Sequence, residues 1–496
     1  MIDRYADKVI TEIWSLENKV AMWLKVELAV IMARAEIGRI PMAIYHRIKT
    51  TLEATEVDIA RWLEIEDIIH HDLNAFVAER KEKLPENLKR YLHDGITSYD
   101  TEEPAFVLNL AASCVFVLVV IKKLEWELIR LAKKYCFTPM NARTHGQEAE
   151  MQSFGARCLT WLVELRLAQS QLMESMKNLK QSRLSGAIGK YGAVDPTLED
   201  TALKILGLEP FYGATQIAPR GLYLPTAQAL CQVVQAVNKI AHDIRLSARS
   251  GKPLMQEPFG KKQTGSSAMP QKKNTISTEK IEGLDRLARG YLKAIEENLM
   301  TWEERAIEQS SCERVAWPDL FHVTVHSVET LTKVLKGLKV YPDNMLWEIL
   351  NSRGCYAAGQ AKDWLKENGS VVGIDEDSAY RIVQLAAFNV HEPSSWAKEL
   401  RENPRQQFEL LPVSISWENE YCSIQEHIAK GELRYSDELA PTMEQVEVWN
   451  KALKKLFADA SRRNKWNELF EPSHLLRNEA FLFRNTIGWE PGDEIE

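Results

Sequence analysis

Four short stretches hold residue types that can move protons or bind anions. Gly265-Ser266-Ser267-Ala268-Met269-Pro270-Gln271-Lys272-Lys273-Asn274 carries two hydroxyls and two lysines, and Lys261 and Lys262 lie just upstream. Gly-Ser-Ser and Pro270 disfavour a helix there. The stretch reads as a cationic loop between helices, and solvated connectors have the same composition. Ser266 could act as nucleophile or base. No GxSxG elbow accompanies it, which argues against a serine hydrolase. A serine alkoxide acting as base needs nearby positive charge, which Lys272 or a helix N-terminus can supply. His145 follows Arg143-Thr144 and precedes Gly146. Histidine is the residue type best suited to proton transfer near neutrality; an ordinary surface histidine is the plain alternative. His70-His71-Asp72 invites a metal, but adjacent helical residues diverge by about 100° and do not converge on one ion. A structural histidine, a substrate contact and an acid/base role stay open. Arg305 and Arg314 flank Ser310-Ser311 and suit bidentate contact with carboxylate or phosphate. Surface ion pairing with Glu303, Glu304 or Glu313 is their ordinary reading.

The elements that must position these residues are almost all helical. Met22–Ile37 carries an apolar stripe near the 3.6 period, closed by Gly38 and Pro41. His93–Asp100 is polar and turn-rich. Long helical patterns then run over about 104–136, 153–183, 224–249, 276–298 and 313–338. The breaks at 139–152, 185–198 and 208–225 read as loops, and the stretch at 265–274 is the fourth break. Val340-Tyr341-Pro342 marks a border. Shorter patterns follow around 376–390 and 440–465, and the tail Gly488–Glu496 reads as frayed. The chain is expected to be all-α, with an N-terminal helical domain at 1–103, a central long-helix bundle at 104–341 and a C-terminal helical domain at 342–496. Helices this long bury more apolar surface when bundles from several subunits join.

Composition narrows the partners. The 496 residues carry a formal charge of −8, with 45% hydrophobic and 27% charged residues, values of a soluble globular protein. No long basic tract occurs, so nucleic acid is not an expected partner. An anionic ligand must be gathered by local positive charge against the overall field. Seven widely spaced cysteines without a CxxC pair point to free thiols in a reducing, cytoplasmic setting. The N-terminal stretch has no apolar signal core. The apolar run Phe106–Ile121 includes Asn109 and Ser113 and falls short of the ~20 residues of a span. It reads as a buried helix, with no membrane expected.

The stretch 265–274 fits the pattern G-S-x-x-M-x-x-K-x-N, and through it the chain resembles the fumarate lyase superfamily. Met1-Ile2-Asp3-Arg4-Tyr5, Ile13-Trp14, Trp23–Glu27, His70-His71-Asp72, Thr97-Ser98, Arg143–Gly146, Ser185–Gly189, Thr215-Gln216 and Glu304–Arg314 occur in the order seen in its adenylosuccinate lyase branch. The resemblance runs from residue 1 to about 400. It implies a three-domain fold whose long helices assemble into a 20-helix core of a homotetramer with shared active sites. It also implies elimination of fumarate from the nucleotides adenylosuccinate and SAICAR, without metal or cofactor. By resemblance Ser266 is the general base and His145 the general acid, with His71, Lys272 and Glu279 also catalytic. The implied substrate contacts are Arg4, Tyr5, His70, Asp72, Thr97, Ser98, Thr144, Gln216, Asn274, Arg305, Ser310 and Arg314. The chain departs from the branch pattern at Tyr99, 217–223, Gln271, Thr275, Ala306 and Gln309. These departures leave a second reading open: a lyase releasing fumarate from another N-succinyl compound, such as argininosuccinate.

Overall fold

A computed structural model describes residues 1–391 and 423–493. Cys422, the end of the family resemblance near residue 400 and the last three residues of the tail lie outside the described residues. The chain forms two compact units. One comprises Met1–Glu127, Trp161–Leu246 and Glu257–Leu338; the other comprises Leu128–Thr160, Ser247–Gln256 and Lys339–Glu496. The class is all-α, and the strands among the described residues make three two-stranded sheets.

In the first unit, the helix Leu16–Glu36 starts on Ser15, whose side chain accepts from the Asn18 amide. It buries Trp23, Val26, Val30 and Ala33 and ends before Gly38, at φ 80°. The long helices are Ser98–Lys134, Phe154–Ser175, Leu224–Ser247, Ile276–Glu297 and Glu308–Lys336, five elements in the five expected places. The 37-residue Ser98–Lys134 helix starts upstream of the expected residue 104. The Asp100 carboxylate reaches back to the Thr97 amide at 2.8 Å, which caps the helix there. Pro104 is therefore carried inside the helix. By length and composition alone this helix could cross a membrane. Val107, Leu110, Cys114, Val117 and Ile121 are buried, as a core helix requires, while Val115, Val119 and Trp126 are exposed.

Trp14, Trp23, Trp62, Phe76, Phe106 and Trp317 pack edge-to-face through the N-terminal part of this unit, with centroids 5.5–6.2 Å apart. Such geometry adds to the burial of these large rings, and Trp14, Trp23 and Phe106 among them line the cavity described below.

The second unit corrects one expectation. Residues 139–152, read from the sequence as a loop, form a β-hairpin: Pro139–Thr144 pairs antiparallel with Gln147–Ser153, with a bulge between Asn141 and Arg143. Ala149 and Met151 alternate with Glu148, Glu150 and Gln152, but two apolar positions make a period-2 signal too short to stand out from a polar loop. The helices of this unit pack around Ala361, Leu365, Ile382, Leu385, Ile424 and Leu453. Trp364 stacks on Phe457 at 5.6 Å and 12°. The pattern expected at 440–465 divides into Met443–Leu456 and Ala460–Glu468, because Asp459 caps a new helix. The six described cysteines are free thiols.

Candidate active site

The first unit brings predicted residues together in pairs. His70 ends the helix Ile59–Ile69 in the left-handed region, at φ 51°. His71 is then extended and caps the helix Asp72–Glu82, its ring Nδ1 accepting from the Asn74 amide at 3.3 Å. The kink turns His70 outward and sends His71 Nε2 to the Ser98 hydroxyl, 3.3 Å away. Asp72 opens the same helix and ion-pairs with Arg314 at 2.9 Å and with Lys19 at 3.1 Å. Burial works against charge on Asp72, but Lys19 and Arg314 outweigh it and hold the carboxyl below its ordinary range. Gln216 and Arg305 form a third pair: the guanidinium Nη1 donates to the Gln216 Oε1 at 3.1 Å.

Of these residues, Lys19 and Arg314 line a cavity of about 270 Å³, together with Trp14, Trp23, Glu102 and Ser310 among others. Lys19 lies 4.5 Å above the Trp23 ring. The sequence reading does not include Lys19, although its place one turn before Trp23 on the same helix face was available as a signal. It also omits Glu102. Burial, followed by the nearby charge of Asp72, pushes this carboxyl up to about 7. Nothing local in Thr101-Glu102-Glu103 foretells that, because both causes come from other helices.

The stretch at 265–274 is irregular and largely exposed. The amides of Ala268 and Met269 donate to Ser266 Oγ at 3.3 and 3.1 Å. Two N–H dipoles aimed at one oxygen favour negative charge on it. The Asn274 side chain donates to the Gly265 carbonyl at 2.8 Å and closes the loop on itself. Gly265 lies so near the Lys272 carbonyl that a Cβ there would come within 2.0 Å of its oxygen. Among the described residues, none of Lys261, Lys262, Lys272 and Lys273 makes an ion pair. The helix Ile276–Glu297 follows, its first amides held by Glu257, which accepts from Ser277 and Thr278 at 3.1 and 2.7 Å. Glu279 accepts from the Thr275 hydroxyl at 3.2 Å, so Thr275 ties the end of the loop to the helix.

The remaining predicted residues stand apart from these pairs. Arg4 is exposed, and Tyr5 packs edge-on against His326 at 5.2 Å. The Thr97 carbonyl starts the long helix by accepting from the Asp100 amide. Thr144 and His145 belong to the second unit. There His145 and Gly146 are the two central residues of the hairpin turn, with φ of 54° and 77°, the torsion pattern of a type I′ turn. The turn holds the exposed imidazole at the hairpin tip.

A family model described as a lyase matches residues 2–290. An adenylosuccinate lyase of Synechocystis sp. is 36% identical over 78% of this chain and 88% of its own length. One from Aquifex aeolicus is 35% identical over 82% of this chain and 92% of its own. One from Bacillus subtilis is 31% identical over 81% and 91%. In fold, the chain is similar to the crystal structure of a fumarate lyase from Mesorhizobium sp. BNC1, with a TM-score of 0.75 at 21% identity, covering 98% of this chain and 99% of that one. It is also similar to a beta-carboxy-cis,cis-muconate cycloisomerase from Acinetobacter calcoaceticus sp. ADP1, with a TM-score of 0.73 at 18% identity over 97% and 98%. These two likenesses concern the fold alone. The sequence identities over most of both chains decide the family: this chain belongs to the adenylosuccinate lyases of the fumarate lyase superfamily, which are carbon–nitrogen lyases.

Proposed function

We propose that the protein eliminates fumarate from adenylosuccinate, leaving AMP, and from SAICAR, leaving AICAR. Ser266, as alkoxide, takes a proton from the succinyl carbon next to a carboxylate. The electron pair passes through an aci-carboxylate and forms the new C=C bond as the C–N bond breaks. His145 gives a proton to the departing nitrogen. Lys272 and Asn274 hold the succinyl carboxylates and the charge that builds on them. Glu279 supports the acid histidine, and His71 serves as a second catalytic imidazole beside Ser98. The observation that carries this reading is the Ser266 oxygen, which accepts two backbone N–H groups within a lysine-rich loop. A serine base needs donors and positive charge about its oxygen.

The proposed assembly is a homotetramer with shared sites, in the cytoplasm. It is supported by Val115 and Val119, and by Val163 and Leu167, which are exposed at i,i+4 spacing on two long helices. Fumarate release from purified protein given adenylosuccinate, SAICAR and argininosuccinate in turn tests the reaction. Turnover of the first two and not the third is expected. Release from argininosuccinate alone would move the assignment to the other branch, and release from none would overturn it.

A further inference from the structure

Tyr99, a departure from the family pattern, lies under Arg305. The ring is 4% exposed, and the guanidinium carbon is 4.2 Å from its centroid. The Gln309 amide donates to the Tyr99 hydroxyl at 3.3 Å and to Glu313 at 2.7 Å. Glu313 pairs with Arg220 at 3.1 Å, and Arg220 makes a bidentate pair with Glu103 at 2.7 and 2.9 Å. Tyr223 donates to the same Glu103 at 2.7 Å. Residues from three of the departures, namely Tyr99, Arg220 and Tyr223 of 217–223, and Gln309, thus sit in one buried chain of hydrogen bonds and ion pairs, and that chain ends on the ring beneath Arg305.

Arg305 is half-buried, and no carboxylate pairs with it among the described residues. Its Nη1 is taken by Gln216, and its Nε is buried without an acceptor. A desolvated guanidinium with an unfilled donor is costly unless an anion completes it. Stacking on an aromatic face fixes the plane of the fork without using its donors.

We propose that Tyr99, braced by Gln309, is a positioning residue that orients the Arg305 fork toward an anionic group of the substrate, either a succinyl carboxylate or the nucleotide phosphate. The proposal rests on the reaction proposed above. Tyr99→Leu removes both the stack and the brace, whereas Tyr99→Phe keeps the stack. With adenylosuccinate, Tyr99→Leu is expected to raise KM roughly 5- to 20-fold with kcat little changed. Tyr99→Phe is expected to restore KM to within about 3-fold of the parent. Inhibition by AMP and by succinate identifies the anion, since the inhibitor whose affinity falls in parallel carries it. Equal KM for the Leu and Phe variants, or a fall in kcat at constant KM, overturns the proposal. Should Tyr99→Leu not fold, judged by circular dichroism, Tyr99→Met gives the same readout. Should the parent turn over no substrate, the reaction fails but positioning is still tested. AMP or succinate must then bind Tyr99→Leu more weakly than parent and Tyr99→Phe in calorimetry, and equal binding overturns the proposal.

Discussion

Two glycines flank the proposed base and acid, and they are glycines for different reasons. Gly146, beside His145, has φ 77° and open space where a Cβ would point. Its constraint is torsional and comes from the two-residue turn. Gly265, beside Ser266, is constrained by contact, because a Cβ would meet the Lys272 carbonyl oxygen at 2.0 Å. The hairpin holds its histidine through a strand ladder on both sides. The loop holds its serine through a few local bonds: two amides on Ser266 Oγ, the Asn274 latch and a turn from Met269 to Lys272. A ladder makes a rigid mount. A short set of local bonds can be remade as a ligand arrives. The proposed base therefore sits on the adaptable part and the proposed acid on the fixed part.

Substitutions test this contrast. The largest effect is expected for Ser266→Ala, which should lower kcat by about 10³-fold or more while leaving substrate binding close to the parent's. Near-normal turnover in that variant would remove Ser266 from the base role. Gly265→Ala comes next. Its Cβ must displace the Lys272 carbonyl, so kcat should fall roughly 10- to 100-fold. The denaturation midpoint should barely move, since the loop is exposed; a large loss of stability would mean that the loop is part of the fold's support.

Glu102, in the cavity wall and outside both stretches, provides a pH-dependent control. Its carboxyl is raised from 4.5 to about 7 by burial and by Asp72. The folded state therefore holds a proton that the unfolded chain releases earlier. Stability is full below pH 4.5 and declines as pH rises toward 7. Glu102→Gln should abolish that decline and gain on the order of 1–2 kcal/mol at pH 8 relative to the parent, measured by urea titration at both ends of the window. An unchanged pH slope would place Glu102 in contact with water. The smallest effect is expected for Gly146→Ala, where only the positive φ resists the new side chain. A stability loss of about 1 kcal/mol is expected, and a loss several times larger would show that the tip is packed.

The departures at Tyr99, Tyr223 and Gln309 are scattered in the chain, and in sequence they mark only where the substrate assignment is least secure. The structure joins them in one chain of hydrogen bonds and ion pairs beneath Arg305. Lys19 and Glu102 carry no motif, and they matter here through Asp72 and Arg314.

The sequence by itself determined the helical class, the places of the long helices and the identity of the cationic serine loop. Those features are written in local periodicity, in Gly and Pro punctuation and in contiguous residue types. The hairpin under His145 was not legible, because Ala149 and Met151 are the second strand's apolar residues and so short an alternation hardly differs from a loop. Only the tertiary structure decided which predicted residues meet: His71 with Ser98, Asp72 with Arg314, and Gln216 with Arg305. Their partners are tens to hundreds of residues away, and the contacts arise only when separate helices pack.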